Sequence, residues 1–344
     1  MLKYILLKSA GHGLGNRLLV LSTAIQLCRR YKAKLIVDWN DGAYGPLSFW
    51  DIFQLIGCED ILCESQDTRL LNGLTSSQKA WEGRFETSID QIYNDVSGKG
   101  EFAGVDHQEI PLISGLKTVF HGQKQSEVLV LAGYLKRGQA PLSLLRHLRI
   151  SVSWSHRLSL DFRTMPEQIR NGEYAAIHVR AAAGSLFCPP DYSLLLRYLD
   201  RHPASLAFLA TDTDAEIEKC RSLIGKRLFV ADKSFPIRPN SHYSSEPLSL
   251  HHMDPSSSVV IQGQTIYEAL RDIILLSRSE ALFAQPFSTF SEVACLFSCC
   301  PPSRVFPSSR TNLKCRLGMW LRSSFKYRLS GLRSPSMLSN DCPA

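Results

Sequence analysis

No stretch of this 344-residue chain reaches about 18 apolar residues, the length a helix needs to cross a bilayer, so no transmembrane helix is expected. A secretory leader is not expected either. Met1 runs almost at once into Tyr4, Ile5, Leu6 and Leu7, and Gly11 and His12 cut the apolar run short. The ten cysteines form no CxxC pair, no Cys/His finger spacing and no compact framework. Reduced thiols and a cytoplasmic location are therefore expected. The close trio Cys295, Cys299 and Cys300 reads as helix packing rather than a metal site. Charge of one sign is scarce through most of the chain. From Pro301 onward there are eight Lys/Arg and one acid, so residues 1–300 hold 39 − 8 = 31 basic and 32 − 1 = 31 acidic residues. The formal charge of +7 belongs to the end of the chain and gives no reason to expect a nucleic-acid partner.

What is present is alternation of strands and helices. Lys3–Lys8 reads as a strand, Gly11–Gly15 as a turn, Arg17–Tyr31 as a helix and Leu35–Val37 as a second strand ending at Asp38 and Trp39. That order is a βαβ unit and implies a parallel sheet. Residues 60–130 show weak periodicity apart from a strand at Val128–Ala132. A second run starts at Tyr174. Its strands are Ala175–Val179, Leu206–Ala210, Arg227–Val230 and Ala281–Ala284, with helices at Asp191–Arg201, Ala215–Ile224, Thr265–Arg278 and Phe290–Cys299. The expected fold is α/β, with two Rossmann-like domains at 1–168 and 169–300 facing each other across a cleft. A basic Ser/Pro/Arg-rich tail at 301–344 shows no sheet rhythm. Trp320, Leu321 and Phe325 with Arg316, Arg322, Lys326 and Arg328 offer a basic amphipathic helix there. Peripheral membrane contact through it ranks behind a plain solvated tail.

Ligands of open parallel sheets bind at the carboxyl ends of the strands, so the strand-to-loop junctions are the places to inspect. Gly11, Gly13 and Gly15 precede Asn16 and Arg17, with Asp38 at the next strand end. A dinucleotide fingerprint needs glycine at the position of Asn16, which counts against a nicotinamide-dependent oxidoreductase. Arg180 follows a strand and precedes Ala181, Ala182, Ala183 and Gly184. A fixed guanidinium there can stabilise a departing diphosphate. Asp212 closes another strand. Asp212 and Asp214 have the spacing of a metal-held diphosphate, but Asp214 fits better as a helix N-cap. Asp272 reads as an acid near a helix start, or as part of a solvated face with Arg271. Ser288 and Thr289 open the next helix, where hydroxyls and free N–H groups suit phosphate.

Three segments taken in order, His178-Val-Arg180, Phe208 through Asp212, and Leu270-Arg-Asp272 through Phe287-Ser-Thr289, resemble the motifs of the α1,6-fucosyltransferase superfamily. Gly13-Leu-Gly-Asn-Arg17 and Val37-Asp-Trp39 resemble the N-terminal domain of its bacterial members. The resemblance implies a GT-B-like fold and inverting, metal-independent transfer of fucose from GDP-fucose to a glycan hydroxyl. The donor is a substrate, so no cofactor is expected, and the partners are the nucleotide sugar and a glycan acceptor. Arg180 would be the catalytic residue and hold the diphosphate. His178 and Asp272 would bind the guanosine, Ser288 and Thr289 the phosphates, and Asp212 would shape the donor pocket. Ala181 stands where the family usually carries a second basic or polar group. The general base is open among Asp191, Asp38 and Asp41. The alternatives are an α1,2-type fucosyltransferase and a non-catalytic nucleotide-sugar or glycan-binding protein.

Overall fold

The computed structural model describes residues 1–8, 14–39, 48–76, 79–87, 91–92, 126–131, 142–180, 190–233, 263–286 and 288–309, with the backbone alone at 263–265. The turn residues Gly11–Gly13, Asp41, Ala181–Gly184, residues 234–258, Phe287 and the helix expected around Trp320 lie outside the described residues. Contacts divide the chain into two compact units. The first is Met1–Trp154 with Val260–Gly263, and the second is Ser155–Val259 with Gln264–Ala344. This division falls ahead of the 168/169 boundary expected from the sequence.

The first unit contains β1 (Tyr4–Lys8), β2 (Lys34–Asp38), β3 (Phe53–Leu55), β4 (Val128–Leu131) and β5 (Leu148–Ile150). β2, β1 and β4 form a parallel three-stranded sheet in that order. Ile5–Leu7, Leu35–Val37 and Val128–Leu131 are buried throughout, as strands covered on both faces must be. The helix after β1 begins at Leu14, not Arg17. Leu14 extends the buried stripe of Leu18, Leu21, Ile25 and Cys28 by one turn, so Asn16 lies inside the helix rather than before it. Arg29 and Arg30 close that helix against its negative end. β3 and β5 make an antiparallel pair that hydrophobic spacing did not announce, because each is only three residues long.

The second unit holds a five-stranded sheet of β6 (Tyr174–Val179), β7 (Leu206–Thr211), β8 (Leu228–Phe229), β9 (Ala281–Ala284) and β10 (Val305–Pro307). The order is β10-β9-β6-β7-β8, and every neighbouring pair is parallel. Helices Ser193–Arg201, Asp214–Ile224, Gly263–Arg278 and Thr289–Phe297 connect the strands. Ala175, Ile177, Val179, Leu195, Leu199, Leu209 and Phe283 meet in one buried cluster. Each large apolar side chain there contributes about 1.5–3 kcal/mol relative to exposure. β10 corrects the expectation of a structureless segment from 301 onward. Phe306 stacks on Phe283 with ring centroids 5.0 Å apart, and this contact helps hold a short, proline-ended stretch in the sheet. Gly172 ends the helix Glu167–Asn171 at φ 79°, and a Cβ there would lie 2.8 Å from the Arg278 carbonyl oxygen. Only glycine meets both demands.

Candidate functional site

Parallel register brings the strand ends of the second unit to one edge. Val179 of β6 lies opposite Thr211 of β7, Ile177 opposite Phe283 of β9, and Ala284 opposite Pro307 of β10. Arg180, Asp212, Gln285 and Ser308 therefore follow their strands at the same end of the sheet. Arg180 and Asp212 are exposed there, while His178, Ser288 and Thr289 are buried.

His178 is fixed from several sides. Its Nδ1 lies 2.7 Å from Ser291 Oγ, which also accepts the Gln285 backbone N–H at 2.9 Å. With that amide donating inward, the Ser291 hydroxyl proton has Nδ1 as its acceptor among the described residues. The network assigns the ring proton to Nε2. The His178 carbonyl accepts from Ser308 Oγ at 2.8 Å, and the same hydroxyl lies 3.1 Å from Gln285 Oε1. Phe290 covers the imidazole at 4.9 Å between centroids. Burial, reinforced by the positive charges of Arg180 and Lys233, drives the His178 pKa down to about 3. The ring is neutral at physiological pH and serves as a fixed hydrogen-bond donor.

Asp272 lies past the middle of the helix Gly263–Arg278, not near its start. It is no solvated surface acid either, since Arg271 and Asp272 are 4% and 3% exposed. Arg271 is occupied by Asp161 at 3.1 Å and by the Asp232 carbonyl. Asp272 Oδ2 is paired with Lys233, whose ammonium also donates to the Thr211 carbonyl at 3.0 Å. That bridge ties the helix carboxylate to the end of β7. Burial raises the Asp272 pKa, and the adjacent Lys233 opposes the rise.

Ser288 is the N-cap of the helix Thr289–Phe297 but makes no side-chain capping bond. Among the described residues, Ser288 Oγ, Asp272 Oδ1, Thr211 Oγ1 and Ser309 Oγ are buried without a hydrogen-bond partner. Leaving a buried polar atom unmade costs about 1–3 kcal/mol. Four such atoms around one sheet edge, next to a helix N-terminus with free N–H groups, form an arrangement that a ligand carrying both N–H donors and anionic oxygens would complete.

The other sequence candidates are placed differently. Thr213, not Asp214, is the N-cap of its helix; Asp214 is the first helical residue. Asp191 Oδ1 accepts the Ser193 N–H at 3.0 Å and so helps open the next helix. Asp38 belongs to the first unit, where Lys8 Nζ holds its Oδ2 at 2.6 Å. No three His, Cys, Asp or Glu side chains among the described residues are grouped to share a metal ion. No described helix is long and apolar enough to cross a membrane.

No protein-family profile matches the chain, and no curated protein matches it significantly. Solved structures do. The fucosyltransferase NodZ from Bradyrhizobium superposes with a TM-score of 0.52 at 16% identity, over 88% of this chain and 94% of NodZ. POFUT1 in complex with GDP-fucose superposes with a TM-score of 0.50 at 12% identity, over 89% of this chain and 97% of POFUT1. The shared property is the fold. This chain is α/β and GT-B-like, with Rossmann-like units. In a GT-B fold the strand ends of a Rossmann-like sheet are the natural ligand edge, and here that edge carries the unsatisfied atoms.

Lys233, Ser291 and Ser308 were missed in the sequence. Lys233 follows the strand predicted at Arg227–Val230, so the strand-end rule that selected Asp212 reaches it as well. Ser308 was hidden by its low-complexity surroundings. Ser291 sits in the first turn of the helix Thr289–Phe297 and carries no local signal.

Proposed function

We propose that this chain is an inverting glycosyltransferase that moves fucose from GDP-fucose to a glycan hydroxyl, without a metal ion. The observation that carries the reading is the convergence of His178, Asp272 and Ser288 with buried, unpartnered oxygens at the sheet edge where Arg180 emerges. It is supported by the fold shared with NodZ, crystals of which were soaked with GDP-fucose, and with POFUT1.

The residues then divide the work by chemistry. Arg180 meets the diphosphate, whose negative charge grows as the glycosidic bond breaks, and forked hydrogen bonds to it strengthen in the transition state. Ser288, Thr289 and the N–H groups of the helix they open hold the phosphate oxygens. Neutral His178 donates from Nε2 to the nucleoside, and Asp272 accepts an N–H from the base. Asp212 borders the donor pocket. Free cysteines such as Cys28, Cys58 and Cys220 fit a reducing, cytoplasmic setting, and a glycan biosynthetic role follows from the acceptor class.

The test is release of GDP from GDP-fucose, with and without EDTA. EDTA-resistant release that falls roughly 100-fold in Arg180→Ala is the expected outcome. GDP binding without any release would favour a non-catalytic binding protein. Unchanged turnover in the variant would refute the assignment of Arg180.

A further inference from the structure

We propose that Lys233 sets how the site reads its base, restricting recognition to an N–H and its neighbouring carbonyl and leaving an adjacent amino group unread. This inference rests on the guanosine reading of the donor given above.

The argument is one of hydrogen-bonding capacity. A carboxylate with two free oxygens can take both N–H donors on the edge of guanine, the ring N1–H and the 2-amino group. Asp272 is not in that state. Lys233 occupies Oδ2, and Oδ1 is the oxygen buried without a partner among the described residues. The Lys233 ammonium has three protons. Asp272 Oδ2 and the Thr211 carbonyl use two of them. The side chains of Lys233 and Asp272 are only 9% and 4% exposed, so water competes poorly for what is left. The pair therefore presents one acceptor and one donor side by side.

That pattern matches a 6-oxopurine, in which N1–H meets Oδ1 and O6 meets the remaining ammonium proton. Adenine in the same pose inverts both, setting its N1 acceptor against the carboxylate and its amino group against the ammonium. Hypoxanthine has the same 6-oxo edge as guanine and lacks only the 2-amino group. With Oδ2 already accepting from Lys233, that amino group would have to share a buried oxygen with the ammonium.

Calorimetric titration of the full chain with GDP, IDP, ADP and UDP tests this. The expected result is that GDP and IDP bind within about threefold of each other, and ADP at least tenfold more weakly, the cost of mispairing buried donors and acceptors. In Lys233→Met both GDP and IDP weaken, and their ratio widens to about tenfold in favour of GDP because Oδ2 is freed for the amino group. A merely structural lysine would weaken both ligands without changing the ratio, and that result overturns the inference. So does tenfold preference for GDP over IDP in the unaltered protein, a comparison that stands even if Lys233→Met does not fold. UDP binding as tightly as GDP, or no binding by any of the four, defeats the donor reading itself and this inference with it.

Discussion

Acid should weaken this fold through His178. The folded-state pKa is about 3 against an ordinary value of 6.5. Between these values the unfolded chain holds a proton that the folded chain refuses, so stability rises with pH across the window and is lost as pH falls below 6.5. Each pKa unit corresponds to about 1.36 kcal/mol. Lowering the pH from 7.5 to 5 therefore removes about 2 kcal/mol from this group alone. For a unit of this size that is a fall of roughly 4–8 °C in the melting midpoint. Asp272 works in the opposite sense. Its raised pKa means the folded chain gains the proton first as the pH falls, which offsets part of the loss. The comparison that isolates the imidazole is His178→Gln, which retains polar character without a titrating ring. Urea midpoints of both proteins at pH 7.5, 6.5, 5.5 and 5 should diverge by about 2 kcal/mol across the range, the unaltered protein being the steeper. Parallel pH dependences would refute the claim that His178 is buried, neutral and bound into the Ser291 and Ser308 network.

Gly172→Ala should cost about 1–3 kcal/mol in chemical unfolding, because the residue must hold a positive φ and its new Cβ meets the Arg278 carbonyl; unchanged stability would show that the helix ends otherwise. Phe306→Ala should cost about 2 kcal/mol by the same measurement, reflecting a half-buried ring stacked on Phe283, and no loss would return Val305–Pro307 to the tail. Ser308→Ala should cost about 1–2 kcal/mol, since it removes the donor to the His178 carbonyl from a fully buried position.

The legible parts of this fold were those in which burial writes itself into local spacing. β6, β7 and β9 are short runs covered on both faces, and their apolar character marked them out. The helices after β7 and before β9 carry stripes long enough to identify. Val305–Pro307 failed that test because a three-residue strand ending in proline owes its place to Phe283, which is distant in sequence. The edge of the sheet was legible as a set of strand ends and helix openings, which is how Arg180, Asp212, Ser288 and Thr289 were selected, whereas His178 entered through the family resemblance. The state of Asp272 was not. Helical periodicity could assign it to a helix but could not reveal Lys233, 39 residues away, as its buried partner. Pairing across that separation depends on where the chain returns after β8, and no local pattern encodes it.

The central claim is that the strand-end edge of the second unit binds a guanosine diphosphate sugar. Hydrogen exchange followed by mass spectrometry, with and without saturating GDP, tests its location most directly. The account predicts slower exchange in peptides spanning 178–180, 211–213 and 288–292, where strand ends and the first turn of the Thr289 helix would contact the nucleotide. Protection confined to the first unit, or GDP binding that leaves these peptides unchanged, would contradict it.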